Sequence, residues 1–151
     1  GLAGRYAEWL GKPLVVMHKR REGVGKVETT HVVGDVQDRI PIVIDDIMAS
    51  GSVLTQVHDL LDQGARPEAY FCVTHPVLLP QAMKRLAGLP EIKEVVVSNS
   101  IYVPPEQRYP HTKVKLLSIA PMLAEVIRCI HRGESISPVL RPSLPSPPEA
   151  K

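Results

Sequence analysis

Short apolar runs rich in β-branched residues alternate along this chain with stretches in which apolar residues recur every three or four positions. The first pattern is typical of buried strands and the second of amphipathic helices packed on a sheet. Their alternation predicts an α/β fold with a mostly parallel central sheet and flanking helices. Strands are predicted near 13–18, 28–33, 40–45, 68–74, 93–98 and 113–118, and helices near 1–10, 52–63, 79–87 and 120–132.

The run 40–54 carries the clearest chemistry. Three consecutive β-branched residues, 42–44, predict a strand covered on both faces. Asp45 and Asp46 are expected at its carboxyl end, where open α/β sheets place their ligands. The small residues 50–52 follow and open a helix, so backbone N–H groups could close on an anion there. The pattern fits a sugar phosphate, with the carboxylates binding hydroxyls and the loop binding the phosphate.

A simpler interpretation of the same residues remains open. Asp45, Asp46 and Ser50 are residue types that commonly form turns and cap helices without binding anything.

Composition narrows the class of protein. The chain has 151 residues, a usual size for one domain, and 44% of them are hydrophobic. A net charge of +2 without a basic face argues against nucleic-acid binding. Cys72 lies in a predicted strand and Cys129 on the apolar face of the last predicted helix, so both are predicted to be buried. Neither cysteine has the spacing of a metal ligand. With no signal peptide and no apolar run long enough for a bilayer, a reduced, cytoplasmic protein that does not bind membranes is expected.

The sequence predicts a missing beginning at one end of the chain and a disordered tail at the other. The helix 1–10 begins without a capping side chain, which favours a domain or fragment whose beginning is missing. The last helix has Pro121 in its first turn and apolar residues at 123, 126, 127 and 130. After Pro138 the chain is rich in Pro and Ser, so 139–151 is predicted to be a disordered tail.

Several separate stretches resemble the ribose-phosphate diphosphokinases, the enzymes that make phosphoribosyl diphosphate. Residues 43–54 resemble the phosphoribosyl-diphosphate loop of the type I phosphoribosyltransferase fold, and 19–21 resemble the family's catalytic-loop signature. Further matches occur in the same order at 32–36, 74–76, 97–100, 118–125 and 130–135. Each string is short, and their common order and spacing make the resemblance specific.

The resemblance implies a Rossmann-like type I phosphoribosyltransferase fold, with 1–138 as the C-terminal half of such an enzyme and the N-terminal half absent. It implies transfer of diphosphate from ATP to ribose 5-phosphate, with Mg²⁺ as cofactor and homo-oligomeric assembly. A fragment lacking the other half, which carries much of the ATP site, is expected to be inactive alone.

The resemblance also implies roles for individual residues. Lys19 and Arg21 would stabilise charge on the phosphoryl oxygens during transfer, because they alternate along an extended segment. The segment 22–26, with its two glycines, would be a mobile flap that closes on substrate. A solvated basic hairpin tip is the alternative for these residues.

The remaining implied roles concern substrate binding. Asp45 and Asp46 would orient the ribose directly or through Mg²⁺. The segment of Ala49, Ser50, Gly51, Ser52 and Val53 would hold the 5-phosphate. Asn99 and Ser100 would shape the rim of the pocket, whereas His31 and His75 are interpreted as structural.

Three positions depart from the family's pattern. Ala49 stands where the family usually has an acid, Val53 stands where it has Thr, and Ser52 replaces a Gly. Losing two polar contacts would cost about 1.5–3 kcal/mol each. The alternatives are therefore a non-catalytic regulatory or scaffolding homologue, favoured by Ala49 and Val53, and a phosphoribosyltransferase that uses the same loop.

Overall fold

The computed structural model describes residues 1–21 and 27–140, with the backbone alone described at 18–21 and 27–31. Five α-helices and six β-strands follow one another within these ranges. The helices are α1 (Leu2–Leu10), α2 (Gln56–Asp62), α3 (Pro80–Ala87), α4 (Ala120–Arg132) and α5 (Ser137–Leu140). The strands are β1 (Val16–Arg21), β2 (Val27–Val33), β3 (Ile42–Met48), β4 (Ala69–Pro76), β5 (Ile92–Ser98) and β6 (Val114–Leu117).

A four-stranded parallel sheet in the order β3-β4-β5-β6 forms the centre of the fold. Crossovers through α2 and α3 join β3 to β4 and β4 to β5, as parallel neighbours require. The predicted α/β class with a parallel central sheet and flanking helices is therefore confirmed.

The first two strands do not belong to this sheet. β1 pairs with β2 as a separate antiparallel hairpin, from Val16 opposite Val33 to Arg21 opposite Val27. The connection between them is too short for a crossover helix, so antiparallel pairing is the accessible arrangement. β1 also begins and ends three residues later than predicted.

The main core lies between the central sheet and α2 and α3. Phe71 and Val95 are completely buried on one face of the sheet, and Val57 of α2 and Leu54, two residues before α2, pack with them. A second cluster joins the hairpin to the sheet, since Val15 and Val32 pack against Leu60 of α2. The hairpin is thereby attached to the helix that follows the 49–53 loop.

Two predicted helices leave apolar side chains uncovered. Ile127 and Ile130 of α4 are 66% and 65% exposed, although their spacing predicts an inward face. Cys129 is the buried residue of this helix. On α1, Tyr6 and Trp9 pack edge to face against each other and remain about 40% exposed.

The predicted boundaries at the two ends are partly tested. α1 begins after Gly1 without a side-chain cap and ends at Gly11 in the left-handed conformation, close to the predicted 1–10. α5 extends to Leu140, two residues into the predicted tail, and the prediction for 141–151 lies outside the described residues. Within the described ranges, the helices are all too short or too polar to cross a membrane.

Candidate functional site

The two adjacent carboxylates lie inside a strand, which corrects their predicted position. β3 continues to Met48, so Asp45 and Asp46 precede its end by three and two residues. Asp45 is half-buried and Asp46 is exposed, and the Asp46 N–H donates to Asp45 Oδ1 at 2.9 Å. Because consecutive strand residues face opposite sides of a sheet, the two carboxylates leave β3 on opposite faces.

The loop after β3 turns sharply at Gly51. This residue has φ +72°, a left-handed conformation that glycine adopts without steric cost. A Cβ at Gly51 would lie 2.9 Å from Ala82 Cα and 3.1 Å from Leu54 Cδ1. The loop therefore packs directly on the backbone of α3, and only glycine fits there.

Three successive carbonyl groups of this loop are held from one side. Met48 O accepts from the Leu78 N–H and Ala49 O from the Leu79 N–H, both at 3.0 Å. Ser50 O accepts from Arg85 Nη1 at 2.7 Å. The segment 78–85 thus fixes the loop through main-chain and charged donors.

This anchoring determines where the loop's own N–H groups point. Within the described residues the cis peptide bond is at Tyr109–Pro110, so the peptides after Met48, Ala49 and Ser50 are trans. In a trans peptide the N–H is antiparallel to the preceding C=O. The N–H groups of residues 49–51 therefore point away from the segment 78–85. Consecutive N–H groups on one side of a turn form a concavity suited to an anion.

The helix after the loop begins as a 3-10 turn, Ser52–Thr55, before α2. Val53 is 6% exposed and belongs to the main core, so its side chain cannot contact a ligand without repacking. Ser52 is exposed, and its N–H lies 3.4 Å from Ser50 Oγ. The predicted substrate-binding segment 49–53 could therefore meet a ligand with its backbone and its small side chains, and not with the side chain of Val53.

A hydrogen-bonded network of hydroxyl groups and an imidazole lies at the ends of β4 and β5, and it was not predicted from the sequence. Ser98 Oγ and Ser100 Oγ both donate to the Thr74 carbonyl, at 2.5 and 2.9 Å. His75 Nδ1 lies 2.9 Å from Ser100 Oγ, and the Ser100 N–H donates to Ser98 Oγ at 3.0 Å. The sequence signal was present, since Thr-His and Ser-Asn-Ser both follow apolar runs of neighbouring parallel strands.

Asn99 connects two parts of the chain through hydrogen bonds. Its Oδ1 accepts from the Ile119 N–H at 2.9 Å, and its own N–H donates to Leu117 O at 3.1 Å. Asn99 therefore ties the end of β5 to the segment that leads from β6 into α4.

The two predicted catalytic residues, Lys19 and Arg21, are part of β1. Lys19 pairs with Thr29 and Arg21 with Val27, after a shift of register between His18 and Lys19. Their extended conformation agrees with the prediction. Their side chains, that of His31, and the predicted flap 22–26 lie outside what the structure describes.

Magnesium is compatible with the carboxylates of β3. Among the described residues there is no group of three or more His, Cys, Asp or Glu side chains that could enclose a metal ion. Mg²⁺ commonly uses one or two carboxylates and takes its other ligands from water and substrate phosphates. A single exposed carboxylate such as Asp46 is enough for that pattern.

The fold and loop define an α/β protein with a glycine turn at the carboxyl edge of a parallel sheet, and comparison with known proteins shows its family. Residues 13–141 match the family described as phosphoribosyl synthetase-associated domain, and the chain belongs to this family. It is homologous to ribose-phosphate pyrophosphokinases, the enzymes that the sequence resembles.

Individual relatives show the extent of the match. A ribose-phosphate pyrophosphokinase of Caldanaerobacter subterraneus subsp. tengcongensis is 41% identical over 133 residues, which cover 87% of this chain and 41% of that protein. The Bacillus subtilis enzyme is 36% identical over 135 residues, covering 89% and 42%. The phosphoribosylpyrophosphate synthetase of Mycobacterium smegmatis matches in structure with a TM-score of 0.72 and 33% identity, covering 87% of this chain and 41% of that one. The chain thus spans about two fifths of the length of these relatives.

Proposed function

We propose that this chain is the ribose 5-phosphate and phosphoribosyl-diphosphate binding domain of a ribose-phosphate diphosphokinase. It would correspond to the C-terminal half of that enzyme, with the type I phosphoribosyltransferase fold. The observation that carries the proposal is that the segment 78–85 holds the carbonyls of Met48, Ala49 and Ser50, the groups directly before the N–H groups of residues 49–51. This leaves a row of N–H groups for a phosphate in a chain homologous to these enzymes.

The roles of the site follow from its geometry and chemistry. The N–H groups of residues 49–51 would bind the 5-phosphate. Asp45 would accept hydrogen bonds from ribose hydroxyls, because it is the half-buried carboxylate of β3 and precedes the loop by four residues. Asp46, on the other face, would help hold Mg²⁺, which when bound supplies positive charge to the phosphate oxygens.

The transfer step would use cations from the hairpin. Lys19 and Arg21 would stabilise negative charge on the transferred diphosphoryl group. The nucleophile is the 1-hydroxyl of ribose 5-phosphate: its oxygen attacks the β-phosphorus of ATP, the bond from that phosphorus to the α-phosphate oxygen breaks, and AMP leaves. The uncovered apolar residues of α1 and α4 support self-association, and the cytoplasm is the compartment proposed for this reaction.

Binding and turnover test the proposal separately. Titration calorimetry of this chain with ribose 5-phosphate and with inorganic phosphate should show binding of both, the sugar phosphate more tightly. AMP formation from ATP and ribose 5-phosphate should be found with the full-length gene product and not with the 151-residue chain alone. No binding of either ligand would refute the proposed site.

A scaffolding homologue is the second candidate, and Ala49 and Val53 favour it. If the pocket is otherwise intact, the A49D/V53T double substitution should tighten ribose 5-phosphate binding by about fivefold, since one restored polar contact is worth about 1 kcal/mol. The gain is expected from A49D alone, because the side chain at position 53 lies in the main core. Val57→Thr is the control for the packing cost of V53T, because Val57 is also buried and lies one turn further along. No ligand binding by parent or double variant would favour the scaffold.

A further inference from the structure

A cluster of charged side chains lies at the amino edge of the central sheet and has no role in the function described so far. Leu89 and Pro90 come just before β5, and Lys113 comes just before β6. Because β5 and β6 are parallel neighbours, these residues meet at the end of the sheet opposite to the 49–53 loop. The Val95 N–H donates to Lys113 O at 2.9 Å, which fixes the backbone of this lysine against β5.

Two ammonium groups are held on consecutive carbonyl groups of this edge. Lys113 Nζ donates to Leu89 O at 2.6 Å, and Lys93 Nζ donates to Pro90 O at 3.1 Å. The two carbonyl groups belong to adjacent residues, whose Cα atoms are about 3.8 Å apart. The partly buried Lys113 therefore has a second positive charge close to it.

The nearby carboxylate does not pair with these lysines. Glu91 follows Pro90 in the chain, yet within the described residues its buried Oε2 atom has no hydrogen-bond partner, and both lysines donate to carbonyl groups instead. A neutral carbonyl oxygen stabilises an ammonium group less than a carboxylate does. The contact with Leu89 O needs only one N–H, which a neutral amine retains. Lys113 can therefore lose a proton without losing its hydrogen bond.

Lys115, two residues later, is the opposite case. Its Nζ lies 2.5 Å from a carboxylate oxygen of Glu94, and its side chain is 53% exposed. The hydrogen bond to Glu94 raises the pKa of Lys115. The pKa of Lys113 is lowered, first by burial and then by the charge of Lys93, against an opposing effect of Glu91. The less exposed of the two lysines is thus the one that more readily presents a neutral amine.

We infer that Lys113 is a site of covalent acylation by an acyl phosphate, with Lys93 binding the phosphoryl group of the reagent. An acyl phosphate combines an electrophilic carbon with an anionic group, which matches an amine beside a fixed cation. An ammonium group has three N–H donors, and Pro90 O takes one from Lys93, so two can bind phosphoryl oxygens.

The acylation step is a simple transfer. The neutral amine of Lys113 attacks the carbonyl carbon, a C–N bond forms, and the bond from that carbon to the phosphate oxygen breaks. The proton lost by the amine goes to the departing phosphate. The resulting amide keeps one N–H for Leu89 O, so the product fits the folded structure.

Competitive labelling within one protein tests the inference. The 151-residue chain is treated with acetyl phosphate, and acetylation of each lysine is quantified by peptide mass spectrometry. The pH is about 8, below the pKa of an ordinary lysine. Each rate is divided by the rate at the same lysine in the urea-unfolded chain, which removes effects of local sequence.

The normalised rate should be at least about threefold higher at Lys113 than at Lys115, since one pKa unit changes the neutral fraction about tenfold. Exposure alone predicts the reverse order. A normalised rate at Lys113 equal to or below that at Lys115 would overturn the inference.

Variants test the two causes separately. Lys93→Met removes the neighbouring cation and should slow acetylation of Lys113 at least about threefold. The control Lys84→Met, on α3, should leave this rate unchanged. Glu94→Gln removes the partner of Lys115 and should speed acetylation of Lys115 without changing that of Lys113.

A neutral reagent isolates the phosphoryl contact. With N-acetoxysuccinimide, Lys93→Met should slow labelling of Lys113 less than it does with acetyl phosphate. An equal fall with both reagents would overturn the binding role of Lys93, and no fall with either would overturn the activation of Lys113 by its neighbour. The inference does not depend on the proposed function, because ribose 5-phosphate binding at the opposite edge should be the same before and after acetylation.

Discussion

Arg85 of α3 donates a hydrogen bond of 2.7 Å to the carbonyl oxygen of Ser50, 35 residues earlier in the chain. This contact joins the crossover helix after β4 to the loop after β3. Together with the Leu78 and Leu79 N–H groups it holds three successive carbonyls on one side of the loop. The conformation of the loop therefore depends on a second βα connection as well as on its own sequence.

Arg85→Met should weaken phosphate binding by the loop. The substitution keeps much of the side-chain stem but frees the Ser50 carbonyl, so the peptide that presents the Gly51 N–H can rotate. We expect inorganic phosphate and ribose 5-phosphate affinity to fall about five- to tenfold, measured by calorimetry, and unfolding free energy to fall by about 1 kcal/mol. Lys84→Met removes the same charge one residue away and should change affinity less than twofold. Equal effects of the two variants would attribute the loss to net charge.

Gly51→Ala should destabilise the protein more than Gly133→Ala. Both glycines have a left-handed φ, +72° and +67°, so both substitutions incur a conformational cost of about 1–2 kcal/mol. An added Cβ meets Ala82 backbone at 2.9 Å only at Gly51, since nothing lies within 4 Å of it at Gly133. Urea denaturation should show an additional loss of at least about 1 kcal/mol for Gly51→Ala. Equal losses would show that the loop can move away from α3.

Lys19→Ala should lower turnover far more than it weakens substrate binding. If Lys19 acts mainly in the transition state, kcat for AMP formation by the full-length gene product should fall at least about tenfold, with KM for ribose 5-phosphate within about threefold. Lys12→Ala, an exposed lysine before β1, is the control and should behave as the parent. A Lys19 variant within a few-fold of the parent in kcat would favour the solvated hairpin tip.

The thiol of Cys72 should resist alkylation at neutral pH. Its pKa is raised above the ordinary value, first by burial and then by the nearby charge of Glu94. In a Cys129→Ala background, the pH midpoint of the iodoacetamide rate should lie above that of a free thiol. Glu94→Gln should lower the midpoint without removing the burial effect, and the control Glu106→Gln should not move it.

The raised pKa of Cys72 also determines how the stability of the folded protein changes with pH. Because the folded state disfavours the thiolate, the stabilising contribution of Cys72 is complete below the pKa of the unfolded thiol. It is lost as pH rises from that value through the folded pKa. A midpoint at or below that of a free thiol would contradict the raised pKa.

Much of the fold could be predicted because it depends on local patterns. Strands such as β4 and β5 are short apolar runs, and Pro80 and Pro121 mark the first turns of their helices. The 3-10 turn at Ser52–Thr55 and the three extra residues of β3 could not be predicted in this way. The end of β3 is set by its pairing with β4 and by the Leu78 N–H that binds the Met48 carbonyl.

By itself, the sequence determined the alternation of strands and helices, the family resemblance, and the small-residue segment 49–53 as the candidate phosphate loop. Periodicity and residue size suffice for these, because they act within one element. Only the tertiary structure decided that Asp45 and Asp46 lie inside β3, that Val53 is buried, and that Arg85 binds the Ser50 carbonyl. The physical reason is that strand length, register and side-chain burial are set by partners distant in sequence, whose positions no local pattern contains.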